Sequence, residues 1–130
     1  MIVDASAMLA IVNDEPERAD FVDVLKSADK PLMSVANHLE VAFKVDRDPR
    51  RVLSRAVDRL IRSFRIEMVP VTIEQAIVAR TAYRDFGRGS GHPAKLNYGD
   101  CFAYALATVS DKPLLYKGND FVHTDIRSAV

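Results

Sequence analysis

Four short apolar runs punctuate this chain, and each is followed by residues whose apolar positions recur at helical spacing. The runs are Ile2-Val3, Leu32-Met33-Ser34-Val35, Ile66 to Val71 and Pro113 to Tyr116. After Ile2-Val3 comes a first helix, with Ser6 as its cap and Ala7, Met8, Ala10 and Ile11 apolar. Pro16 opens a second, to about Ser27, with Phe21, Val22 and Leu25 on its stripe. A third spans about Ala36 to Val45, with Leu39, Ala42 and Phe43 on its apolar side. Asp48-Pro49 starts a fourth, to about Ser63, carrying Val52, Ala56, Leu60 and Ile61. Thr72 caps a fifth, about Ile73 to Phe86, with Ala76, Ile77, Ala79 and Tyr83 inward, and a sixth covers about Tyr98 to Val109. The tail after Asn119 adds a turn and an edge strand. Strands that alternate with helices imply a parallel sheet covered on both faces. The expected fold is therefore α/β, a three-layer α/β/α sandwich with a central parallel sheet. One domain, residues 1–130, is the size such a fold needs.

Charge excludes one large class of function. Lysine plus arginine number 18, as do aspartate plus glutamate, so the chain is not a bulk-basic nucleic-acid binder. The single cysteine, Cys101, rules out an internal disulfide or a cysteine metal cluster. No apolar run approaches the roughly 20 residues of a membrane span. Asp4, with no basic segment before it, argues against a signal peptide. A soluble cytoplasmic protein with no membrane partner is the expectation.

Doubly wound sheets bind ligands at the carboxyl ends of their strands. Asp4 ends the first run, Glu40 lies in the helix after the second, Asp100 opens the helix after a Gly-rich loop, and Asn119-Asp120 follow the fourth run. Glu40 borders an apolar face through Ala36 and Phe43, and Asp100 does so through Ala103, Tyr104 and Ala107. Carboxylates about 5 Å apart repel by roughly 3 kcal/mol at an effective dielectric of about 20. Either some stay protonated or a cation shares the site. Oxygen donors without histidine or cysteine suit Mg²⁺ or Mn²⁺. Singly, each acid has a plainer reading: Asp4 or Asp100 as a helix cap, Asp120 as a turn residue, Glu40 as the partner of Lys44. Four at one sheet edge make the plainer reading weaker.

Three segments carry a resemblance. Ile2-Val3-Asp4-Ala5-Ser6-Ala7 resembles the opening of PIN-domain proteins. Leu96-Asn97-Tyr98-Gly99-Asp100-Cys101-Phe102-Ala103-Tyr104-Ala105 is similar to the third-acid segment of their VapC toxin branch. So is Pro113-Leu114-Leu115-Tyr116-Lys117-Gly118-Asn119-Asp120-Phe121, followed by Thr124-Asp125-Ile126. The resemblance implies a PIN-like fold and a metal-dependent endoribonuclease, the toxin of a type II toxin–antitoxin pair. It places the acidic quartet on Asp4, Glu40, Asp100 and Asp120, with Ser6 in support. Asp4, Asp100 and Asp120 would hold Mg²⁺ or Mn²⁺, and Glu40 would orient or deprotonate the attacking water, leaving a 5′-phosphate and a 3′-hydroxyl. The branch often has two aspartates where this chain has Asn119-Asp120. The fourth acid therefore falls on Asp120, directly before Phe121, or is lost if the pairing shifts to Asn119. RNA as substrate, a cognate VapB-type antitoxin and a homodimer are the implied partners. The antitoxin would push a basic side chain into the acidic pocket, and exposed residues of the first two helices, such as Phe21 and Val22, would help it dock.

The remaining features are weaker. Arg47, Arg51, Arg55, Arg59 and Arg62 form a stripe if helical, read more readily as a solvated face than as an RNA contact. Arg80, Arg84 and Arg88 lead into the loop Gly87 to Pro93 and are better placed for RNA or a partner. That loop lacks the Lys-Ser or Lys-Thr ending of a nucleotide P-loop and reads as a mobile rim of the active cleft. Neither His38 nor His92 reads as a metal ligand, and Cys101 reads as a small buried hydrophobe. Lys117, at the end of the last strand, either pairs with a carboxylate or contacts substrate. Two rival functions remain. A phosphoryl-accepting receiver would need an aspartate after the third strand, where this chain has Pro70-Val71-Thr72. A non-catalytic RNA- or protein-binding regulator on the same fold is opposed by the full acid set.

Overall fold

The structure, a computed structural model, describes residues 1–130. Four parallel strands stand in the order β3-β2-β1-β4: β1 (Ile2–Val3), β2 (Leu32–Ser34), β3 (Glu67–Val69) and β4 (Leu114–Leu115). Ile2 pairs with Leu32 on one side and Leu114 on the other, and Leu32 pairs with Glu67. Pairs of helices make every crossover. These are α1 (Ala5–Val12) and α2 (Arg18–Ser27), then α3 (Val35–Val45) and α4 (Val52–Phe64), then α5 (Ile73–Phe86) and α6 (Tyr98–Ser110). A 3₁₀ turn at Phe121–His123 follows β4, and Ser128 bridges to Leu114, so the tail supplies the expected turn and a single edge contact.

Alternation along the strands builds the three layers, because successive side chains point to opposite faces. Val3, Met33 and Leu115 join a core with Met8, Phe21, Leu25, Val41 and Val57 from α1 to α4. Ile2, Leu114 and the partly buried Leu32 face the other way, packing with Ala82 of α5 and Ala103, Leu106 and Ala107 of α6. The first two crossovers thus cover one face and the third covers the other. The strand order reverses between β1 and β4, which opens the crevice in which such sheets bind ligands. No helix is long and apolar enough to cross a membrane.

Several local expectations are corrected. Asp4, not Ser6, caps α1: its carboxylate accepts from the Ser6 N–H at 2.9 Å. Pro16 precedes α2 in a turn rather than starting it. Helix α4 begins at Val52, not at Asp48-Pro49, because Arg51 is left-handed (φ 55°) and residues 46–51 form a turn. Only Arg55, Arg59 and Arg62 of the arginine stripe are therefore helical, and all five side chains are exposed. On α3 the buried stripe is Asn37-Val41-Val45, which leaves Leu39 50% and Phe43 68% exposed. On α5 the buried residues are Gln75 and Ala82, while Ile77 and Tyr83 face outward. Phe21, expected on the surface, is buried in the core against α1.

Candidate active site

The crevice at the strand ends holds a cavity of about 400 Å³, lined by Asp4, Ser6, Leu9, Glu15, Glu40, Lys44, Asn97, Asp100, Lys117, Asp120 and Phe121. Each acid reaches it by a different local route. Asp4 leaves β1 in an extended conformation and caps α1, which turns its carboxylate back over the strand end. That carboxylate is buried and accepts from the Ser6 N–H at 2.9 Å and the Ser6 hydroxyl at 2.5 Å. The Ser6 oxygen in turn accepts from the Lys117 N–H at 2.9 Å, which ties β4 to the same point. Burial pushes the Asp4 carboxyl above the usual carboxylate range, against the pull of its Ser6 bonds, and the Glu40 charge adds to the rise.

Asp100 sits in the first turn of α6, where a reciprocal capping box fixes it. The Asn97 N–H donates to Asp100 Oδ2 at 2.7 Å, and the Asp100 N–H donates to Asn97 Oδ1 at 3.0 Å. Burial, then the charges of Asp4, Asp120 and Glu40, raise its carboxyl to about 7, with the Asn97 bond opposing. Those three charges register on Asp100 because all four acids share the cavity.

Glu40, half-buried on α3, pairs with Lys44 at 3.0 Å, so the plainer ion-pair reading and the cavity position hold together. It lies over Gly99, whose lack of a side chain makes the space. Below it Asn37, fully buried, donates to the Gly99 carbonyl at 2.9 Å and locks α3 to the start of α6. Gly118 takes φ +100°, a left-handed turn that brings Asp120 to the rim. Asp120 lines the cavity and Asn119 does not.

The acids line one space, but no three His, Cys, Asp or Glu side chains converge on one coordinating point as they stand. Asp120 makes no capping bond, and Glu40 is held only by the part-exposed Lys44. The donor set is all oxygen, and two of its members, Asp4 and Asp100, resist ionising chiefly because they are buried. In chemistry and charge these residues fit a hard divalent cation.

Sequence reasoning did not single out Asn37, Gly99, Glu15 or Glu17. The Asn97-x-x-Asp100 spacing is a capping-box signal that was there to be read. Nothing local marks Asn37, whose partner lies far along the chain. The Gly-rich loop is not part of the cavity lining. It folds back on the end of α5, with the Arg88 N–H donating to Leu96 O at 3.0 Å and His92 edge-on to Phe86 at 4.9 Å. Cys101 is buried, its thiol pushed up to about 11 by burial, so it is an unreactive core residue. Asp125 lies outside the cavity, where it accepts from the Tyr104 hydroxyl at 2.7 Å and anchors the tail.

Comparison with known proteins gives the family. The family model for the PIN domain matches residues 1–127. The chain is 51% identical over 130 residues to VapC ribonuclease Mb0625 of Mycobacterium bovis, covering 100% of this chain and 98% of the relative. It is 48% identical over 129 residues to ribonuclease VapC42 of Mycobacterium tuberculosis, covering 99% and 98%. Among solved structures, it resembles Mycobacterium tuberculosis VapC20, described as a Sarcin-Ricin loop cleaving toxin, with a TM-score of 0.73 at 14% identity over 96% of this chain and 95% of that one. It also resembles VapBC2 from Rickettsia felis bound to a DNA fragment from its promoter, with a TM-score of 0.73 at 12% identity over 98% and 94%. These last two likenesses bear on the fold alone, whereas the family match and the close relatives bear on ancestry. The chain belongs to the PIN-domain family, among its VapC ribonucleases.

Proposed function

We propose that this protein is an endoribonuclease toxin that cleaves RNA phosphodiester bonds with Mg²⁺ or Mn²⁺ held by Asp4, Asp100 and Asp120. The observation that carries the reading is the meeting of Asp4, Glu40, Asp100 and Asp120, each from a separate element, in one cavity, and the raised Asp100 carboxyl agrees with it. A bound divalent ion would supply Lewis acidity toward the phosphate and lower the pKa of an attacking water. Asp4 holds its carboxylate in place through the two Ser6 bonds, and Asp100 does so through its capping box. Glu40, at the rim, accepts the proton of the incoming water. Ser6 fixes the Asp4 rotamer and joins it to β4.

An antitoxin of the VapB type is the proposed partner. A groove of about 640 Å³ between α1, α2 and α4, lined by Ile11, Val12, Ala56, Leu60 and Phe64 with Arg18 and Arg59 at its edge, suits an apolar segment of such a partner. The acidic cavity would welcome a basic side chain. A second copy of this chain is the proposed occupant of another face, where Leu39, Phe43, Tyr83 and Tyr98 expose apolar surface on α3, α5 and α6.

The test is cleavage of end-labelled RNA by the purified protein with Mg²⁺, with Mn²⁺ and with EDTA, beside Asp4→Ala and Asp100→Ala. Metal-dependent cleavage that both variants lose is the expected result. Cleavage in EDTA, or by either folded variant, would overturn it.

A further inference from the structure

The cavity sets five carboxylates (Asp4, Glu15, Glu40, Asp100 and Asp120) against two ammonium groups, those of Lys44 and Lys117, and no arginine lines it. A polyanion entering this space has those two cations to meet. They lie to either side of Asp4. Lys44 is on α3, which follows β2, and Lys117 lies two residues past β4, while β1, which leads into Asp4, runs between those strands. Both ammoniums are held by carboxylates and both stay within reach of solvent. Lys44 pairs with Glu40 at 3.0 Å, and its side chain is 53% exposed. Lys117 is clamped by Glu15 and by Glu17, the latter at 3.1 Å, with its side chain 35% exposed.

We propose that Lys44 and Lys117 are the phosphate-binding residues that guide an RNA strand across the cavity, one on each side of the scissile position. The carboxylates that hold them in the free protein act as placeholders for phosphate. The inference rests on the ribonuclease reading and adds to it the track of the substrate. The clamp on Lys117 is geometrically built: its main-chain N–H is fixed by Ser6, and its ammonium is fixed by two acids from the segment between α1 and α2. Its bonds to Glu15 and Glu17 hold the ammonium in its charged form, as a phosphate contact requires. Phosphate would take the place of Glu40 on the Lys44 ammonium, as it would take that of Glu15 and Glu17 on Lys117.

Phosphate contacts leave a signature that a purely structural ion pair does not. Each one lost reduces the slope of log affinity against log salt by about 0.7 for a single strand. The experiment is fluorescence anisotropy of a labelled single-stranded RNA oligonucleotide in EDTA, so that nothing is cleaved, over a series of NaCl concentrations. Lys44→Met and Lys117→Met should each weaken binding and reduce the slope by about 0.7, and the double variant by about 1.4. Glu15→Gln/Glu17→Gln should tighten binding by releasing the ammonium, and that gain should vanish when Lys117→Met is added. Should Lys117→Met fail to fold, Lys117→Gln takes its place in both arms. An unchanged slope in the folded lysine variants, or weaker binding by the glutamine pair, overturns the proposal and leaves the nuclease reading standing. Wild-type protein that binds RNA with these slopes yet never cleaves it supports the track and defeats the nuclease reading. Absence of any RNA binding at low salt overturns the track, and cleavage with Mg²⁺ or Mn²⁺ then decides the nuclease reading.

Discussion

Gly99 leaves empty the space that the Glu40 carboxylate fills. A Cβ on residue 99 would collide with Glu40 Oε2 and crowd Asn97 Oδ1, 3.3 Å away. Residue 99 is in the first turn of α6 and has no left-handed φ, so alanine is conformationally acceptable there and only the carboxylate must move. Gly99→Ala should therefore leave thermal stability unchanged or slightly raised. It should slow RNA cleavage by about tenfold or more, equivalent to ~1.4 kcal/mol in the barrier. Unfolding scans beside initial rates check this. A variant as active as wild type would remove Glu40 from the reaction.

Asp4 serves two purposes that substitutions can separate. As the cap of α1 it needs only an acceptor, which asparagine also supplies, whereas its proposed role in holding a cation needs the charge. Asp4→Asn should abolish cleavage with a melting temperature at or above wild type. Asp4→Ala should abolish cleavage and also cost about 1 kcal/mol of stability through the lost cap. Ser6→Ala strips the acceptor from the Lys117 N–H and should cost about 1–2 kcal/mol while lowering the rate. Circular dichroism melts with parallel cleavage assays distinguish the three.

The Asp100 carboxyl, at about 7 against an ordinary 3.8, sets a pH dependence of definite sign. Between those values the folded protein keeps a proton that the unfolded chain has released. Without divalent ions, stability contributed by this group therefore falls as pH rises from about 4 to about 7, and is level above that. The loss is on the order of 2 kcal/mol once solvent screening of a partly exposed group is allowed for. Asp4, raised in the same direction, adds to it. At pH above 7, Mg²⁺ should raise the melting temperature. Asp100→Asn should raise it without metal and blunt the response to Mg²⁺. A metal-free protein that grows more stable from acid to neutral pH through these groups would contradict the assignment.

The exposed apolar face of α3, α5 and α6 makes a prediction about assembly. Phe43 is 68% exposed and Tyr98 is 79% exposed, although each lies on a helix whose other side packs into a core. Light scattering after size exclusion should give twice the 14.5 kDa chain mass for wild type and the single mass for Phe43→Asp/Tyr98→Asp. A monomeric wild type at micromolar concentration would remove the second copy as the occupant of this face.

The alternation of apolar runs with helical stripes determined the parallel sheet and its helical crossovers, because strand and helix periods are local properties of a few neighbouring residues. Asp4 and Asp100 were legible for the same reason: one directly follows a strand and the other sits in the first turn of a helix. Which side of α3 or α5 faces inward was not legible. The buried stripe of α3 passes through Asn37, a polar residue whose amide nitrogen finds the Gly99 carbonyl, 62 positions away. The clasp of Lys117 by Glu15 and Glu17 likewise spans about a hundred residues and has no periodic signature. Burial of a polar group and pairing of distant charges depend on which elements meet across the sheet, so packing alone decided them.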